Sequence, residues 1–205
     1  MPLWPKEAEV YNAEGTLGGM AWKLRGVDAP ANTIAAHGGS VYAYRWDWDE
    51  EGTAFGFVDL QELLGAAHGL EIPFVFGWFD LGPQTPLLFH DDNAAGRLEL
   101  SNAMMSYWAN FARTGDPGKG SDGELPRWQR WSTAPNGAKT LILDTASDGG
   151  IRMTSEEVTL QGMLDALQAM DTLNAEQRCR VYEATFRDQD EAWLAANRAR
   201  FCDGG

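Results

Sequence analysis

The 205 residues carry 16 Lys plus Arg against 30 Asp plus Glu, a formal net charge of −14. No basic cluster is present to follow a phosphate backbone, which excludes nucleic acid as a natural partner. Forty-four per cent hydrophobic content with nine Trp and nine Phe fits a globular chain, long enough for one domain or a large piece of one. No stretch reaches the roughly eighteen uninterrupted apolar residues of a membrane span, and MPLWPKEAEV lacks the basic and apolar regions of a secretory leader. The compartment is left open.

In chain order, SVYAYRW (40–46) is aromatic and β-branched, follows the His37-Gly38-Gly39 turn signal, and reads as a strand emptying into the acidic run DWDEEG. VDLQELL (58–64) reads as a short helical turn. In RLELSNAMMSYWANFARTGDPG, Leu100, Met104, Trp108 and Phe111 recur at i, i+4, i+8 and i+11, predicting a helix that Gly115 and Pro117 end. A loop holding Trp128 and Trp131 follows, then KTLILDT (139–145), a buried strand. Thr154 and Glu157 have the spacing of a capping box before VTLQGMLDALQAM, where Leu160, Leu164 and Leu167 share a face. Asn174 is placed to cap AEQRCRVYEATFR, and Asp188 with Glu191 to cap EAWLAANRARF, giving a terminal helical pair. If that pair runs antiparallel, Cys179 and Cys202 reach the same end of it. Either a disulfide or two buried free thiols satisfies the pattern.

Catalysis by a serine nucleophile needs a hydroxyl on a sharp turn, a histidine to take its proton, an acid behind the histidine and backbone donors for an oxyanion. None of the seven serines lies in G-x-S-x-G, and Ser121 in GKGSDG misses by spacing. HGGS (37–40) resembles an oxyanion-hole run but precedes a strand and reads as a plain turn. Asp47, Asp49, Glu50 and Glu51 match no calcium-loop pattern and read as a solvated acidic loop. His37, His68 and His90 lack zinc-ligand spacing, so no metal and no cofactor is expected. His68, between small residues in GAAHGLEIPFVFG, is either a structural histidine or a base whose nucleophile lies elsewhere.

The order VYAYRWDWDE, GAAHGLEIPFVFG, LSNAMMSYWANFARTGDPG, LPRWQRW and KTLILDT resembles the C-terminal part of the type-B carboxylesterases, the family that includes the cholinesterases and bacterial para-nitrobenzyl esterases. The resemblance is most specific from Val41 to Asp144 (core 41–145), weaker in AWKLRGVDAP and GGIRMTSEEVTL, and weakest over the last thirty residues. It implies an α/β fold: the C-terminal part of an α/β-hydrolase, with few strands of a mostly parallel sheet, flanking helices and a helical C-terminal third. The whole of 1–205 would be one incomplete domain. It implies further that His68 is the catalytic histidine, in a loop at the carboxyl edge of the sheet, with Leu64, Ala67 and Leu70 as pocket wall. The substrate would be a small-molecule carboxylic ester.

In full-length members of that family the oxyanion glycines, the serine elbow and the acid all precede this region, whereas 67 residues precede His68 here. The expectation is that nucleophile, acid and oxyanion hole belong to an N-terminal part of the same fold that this sequence does not contain. The chain alone is then expected to be inactive, with an unpaired sheet edge and an uncovered apolar face that favour aggregation. Two other readings are a non-catalytic cholinesterase-like adhesion module and an independent α+β domain sharing the motifs.

Overall fold

Thr140–Leu143 (β4) is buried at every position, as a run of Leu, Ile and Leu inside a sheet should be. In the computed structural model, which describes residues 6–202, it is the middle strand of three. Of the stretch read for a leader, residues 1–10, the first five lie outside the described residues. β1 (Ala43–Trp46) pairs with β4 in parallel, Ala43 opposite Thr140 and Trp46 opposite Leu143. Arg152–Thr154 (β5) pairs with β4 antiparallel. The strand expected over 40–46 therefore begins three residues late. A parallel pair needs a long crossover, and here it contains a two-stranded hairpin, β2 (Thr53–Ala54) with β3 (Val58–Asp59), and four helices.

Those helices are α3 (Leu60–Leu64), α4 (Ile72–Phe76), α5 (Thr85–Leu88) and α6 (Ala94–Thr114). α6 ends where Gly115 turns left-handed, its N–H bonding to the Phe111 carbonyl. Its buried face keeps Leu100 and Met104 of the predicted stripe but not its C-terminal half. Leu100, Ser101, Ala103, Met104 and Tyr107 are buried, whereas Trp108 is only partly so and Phe111 is exposed. α4 packs on α6, where Ser101 Oγ donates to the Phe74 carbonyl at 2.8 Å. Around this contact the core of residues 34–156 is largely aromatic. Phe74 meets Trp46 at 4.5 Å and Trp48 at 5.1 Å between ring centroids, while Trp128 stands edge-on to Tyr107 at 5.5 Å and donates its indole N–H to the Ala43 carbonyl.

Residues 6–33 and 157–202 form a second compact unit, all helical in its regular structure. α1 (Ala8–Lys23) buries Ala13, Leu17 and Ala21, one residue per turn, against α7 (Leu160–Gln168) and α8 (Ala175–Phe186). It continues through a π-helical segment, Leu24–Asp28, into α2 (Ala29–Ala36). The wider turn seats Lys23 on the buried Asp28 carboxylate, both N–O distances being 2.6 Å, and Val158 N–H adds a third hydrogen bond at 2.7 Å. α9 (Glu191–Cys202) packs on α8.

Two predicted caps are corrected. Thr154 ends β5, and α7 is capped by Thr159, whose Oγ1 accepts from Gly162 N–H at 2.9 Å; Glu157 instead accepts from Asn32. At α9, Asp190 accepts from Trp193 N–H while Asp188 pairs with Arg25. Asn174 does cap α8, in a full capping box with Gln177.

Candidate active site

His68 sits in the turn between α3 and α4. α3 starts at Asp59, whose side chain accepts from Glu62 N–H, and stops at Gly65, where φ of +54° diverts the chain. Tight backbone bonds follow: Leu70 N–H to the Ala67 carbonyl and Ile72 N–H to the Gly69 carbonyl. Gly69 has φ of +93°, which side chains with a Cβ rarely adopt. Its N–H donates to Glu71 Oε2 at 2.8 Å, so the glutamate two residues on closes the loop that presents the imidazole. Glu71 also faces β1: the Tyr44 phenol is pushed above its ordinary range by burial first and by the Glu71 charge second. Sequence reasoning gave Glu71 no part, although a carboxylate two residues after a glycine in a turn is a detectable signal.

His68 is exposed at the tip of this turn. Leu64 beside it is 42% exposed, and Ala67 and Leu70 are half-buried. Several large apolar side chains nearby in sequence are also exposed: Phe55 and Phe57, whose rings lie 6.5 Å apart, with Ile72, Phe76 and Trp78, the last two 73% and 69% exposed. At the end of α4, Gly77 has φ of +62° and a Cβ there would meet Met105 Sδ at 3.0 Å, so the turn that projects Trp78 requires glycine. A cleft of about 460 Å³ between α6 and the segment after β4, lined in part by Leu100, Ala103, Asp144 and Ile151, includes none of His68, Leu64, Ala67 or Leu70.

The other histidines sit apart from His68 in chain and setting. His37 lies in the turn after α2, as the HGGS reading expects. His90 Nδ1 stands 3.8 Å from an Asp92 oxygen, and its Nε2 is buried with no hydrogen-bond partner among the described residues. Five serine hydroxyls are engaged locally: Ser101 with Phe74, Ser106 with Ser121 N–H, Ser121 with Arg113, Ser132 with Ala134 N–H, and Ser147 with Glu50 Oε1 at 2.9 Å. The acidic run is less solvated than its sequence suggests. Asp47 is bound by Arg45, Glu50 accepts from Thr145 and Ser147, and Glu51 is buried, with neither carboxylate oxygen hydrogen-bonded among the described residues. Burial, with smaller contributions from the charges of Asp49 and Asp59, pushes Glu51 up to about 7.

A model of the carboxylesterase family matches residues 18–191, which run through both compact units. The acetylcholinesterase of Gallus gallus is 38% identical over 114 residues, 56% of this chain and 13% of that protein. The acetylcholinesterase of Danio rerio is 38% identical over 119 residues, 58% of this chain and 16% of its own length. Carboxylesterase 4A of Bos taurus is 36% identical over 119 residues, 58% of this chain and 18% of its own. The stretches matched thus amount to less than a fifth of each of these relatives. With its parallel β1–β4 pair, the helices between them and its helical C-terminal part, the chain belongs to the carboxylesterase family and carries part of the α/β-hydrolase fold.

Proposed function

We propose that the chain contributes the histidine of a serine carboxylesterase, and that His68 is that histidine. The reading rests on one observation above others: an imidazole held at the tip of a turn between small residues, the turn fixed by Gly69 and Glu71, in a chain of this family. In the complete enzyme His68 takes the proton of the attacking serine, gives it to the leaving alcohol, and then draws a proton from the water that cleaves the acyl ester. Gly65, Ala66, Ala67 and Gly69 leave room for the acyl group, and Leu64, Ala67 and Leu70 line its approach. The substrate is a small carboxylic ester.

The serine, the acid and the oxyanion donors come from a part of the fold other than this chain. In support, none of its serines stands in the elbow that exposes a nucleophile, and five have hydroxyls committed to local bonds. A histidine without its serine has no covalent route, so the chain by itself is inactive. Hydrolysis of p-nitrophenyl butyrate by the purified 205 residues is expected not to exceed the buffer rate. Turnover that vanishes in His68→Ala would overturn this, because a nucleophile would then be present. Co-expression with the serine-bearing portion of a family member is expected to restore turnover, and His68→Ala in that complex to lower it by roughly three orders of magnitude or more.

A further inference from the structure

The helical unit holds a second group of chemically competent side chains, independent of the ester reading. Cys179 on α8 and Cys202 on α9 are joined as a disulfide, with Cα atoms 4.6 Å apart. Glu183 follows Cys179 by four residues and so lies on the same face of α8, one turn on. One carboxylate oxygen of Glu183 and the two sulfurs all lie within 4.8 Å of one another. Both cysteines are half-buried and Glu183 is exposed, so the group is open to solutes.

The helices do not depend on the sulfur bond alone for their spacing. Tyr182 of α8 stacks on Phe201 of α9 at 5.1 Å with 15° between ring planes, and its hydroxyl donates to the Leu194 carbonyl at 2.8 Å. Phe186 packs on Trp193 at 5.3 Å, and Arg200 ties α9 to Asp165 of α7. Arg198 holds the Glu183 carboxylate through Oε1 at 2.5 Å, which restrains that side chain beside the sulfurs. Two thiols formed by reduction therefore stay side by side, next to a positioned carboxylate.

We propose that the reduced Cys179–Cys202 pair, with Glu183, binds a thiophilic divalent cation of the zinc type, and that disulfide formation closes the site. The disulfide takes two electrons and two protons from a dithiol reductant, which itself becomes a disulfide. The cation then displaces both thiol protons to solvent as two metal–sulfur bonds and one metal–oxygen bond form, and water completes the tetrahedron. Metal–sulfur bonds of about 2.3 Å at a tetrahedral angle separate the sulfurs by about 3.8 Å, a spacing compatible with the present closeness of the helices. Two thiolates with one carboxylate select zinc-like ions over magnesium or calcium.

The test uses the full chain, reduced with a phosphine, freed of it under argon and titrated with cobalt(II). One equivalent is expected to bind with a sulfur-to-cobalt charge-transfer band that zinc bleaches, while the unreduced chain shows none. Cys179→Ser is expected to abolish the band, and Glu183→Gln to weaken binding by about tenfold or more. A reduced chain without the band, a band that survives Cys179→Ser, or equal affinity in Glu183→Gln would overturn the proposal. Circular dichroism of the reduced chain is read alongside: loss of helix on reduction overturns it as well, since the site depends on helices that stay packed without the bond.

Discussion

Two buried carboxyls, Glu51 and Asp144, couple the stability of residues 34–156 to pH. Glu51 is 7% exposed and pushed from 4.5 up to about 7, chiefly by burial; Asp144, 6% exposed, is pushed from 3.8 up to about 6 by the same cause. In each case the folded chain keeps a proton that the unfolded chain releases, so stability falls as pH rises between the two values and is lowest above the folded one. Asp144 acts from about 3.8 to 6, which leaves the interval from about 6 to 7 to Glu51. Urea midpoints measured across that interval are expected to decline for the parent chain and to stay level in Glu51→Gln, while Asp144→Asn flattens only the slope below 6. A slope from 6 to 7 unchanged in Glu51→Gln would refute the assignment. Nothing in DWDEEG distinguishes Glu51 from its neighbours by sequence, because its burial comes from the fold. The turn around His68 is local by contrast: the glycines that shape it and Glu71, which closes it, are its sequence neighbours, whereas the role proposed for the imidazole was read from the family resemblance and not from these residues.

Among the elements, those with a strong local pattern were legible: α6 by its period and its Gly115 stop, β4 by its apolar run, α8 by its capping box. α1 was not. Gly15, Gly18 and Gly19 lower its intrinsic helix propensity, and it is held instead by Ala13, Leu17 and Ala21 packing on helices more than a hundred residues away. β5 was missed for a related reason, since three residues carry little period and their strand state comes from pairing with β4. That pairing also took Thr154 out of the capping role that its distance from Glu157 suggested. The two threonines separate the readings. Thr159→Ala removes the bond to Gly162 N–H and is expected to cost about 1 kcal/mol in the urea unfolding of the helical unit. Thr154→Ala is expected to leave that transition unmoved. The reverse ranking would restore the cap predicted from sequence.

At the scale of the whole molecule, apolar exposure and net charge oppose each other. Phe55, Phe57, Ile72, Phe76 and Trp78 leave large apolar side chains in water within 24 residues of chain, among Phe, Trp and Ile types that normally seek cover. A formal charge of −14 keeps copies of the chain apart over roughly a Debye length, about 10 Å at 0.1 M salt. Adding salt shortens that range and leaves the apolar attraction in place. Self-association is therefore expected to strengthen as salt rises, the opposite of contacts made by charge. Sedimentation velocity over a salt series checks the sign. Phe76→Glu combined with Trp78→Glu puts charge at two of these exposed positions, and should hold the chain monomeric throughout the series and lower its binding of an apolar dye. On the function proposed above, the same double substitution should also weaken co-assembly with the serine-bearing portion of a family member, whose surface would cover these side chains. A parent chain that stays monomeric at high salt and melts sharply and reversibly would mean that this face needs no cover, and the expectation of a missing partner surface would fall with it.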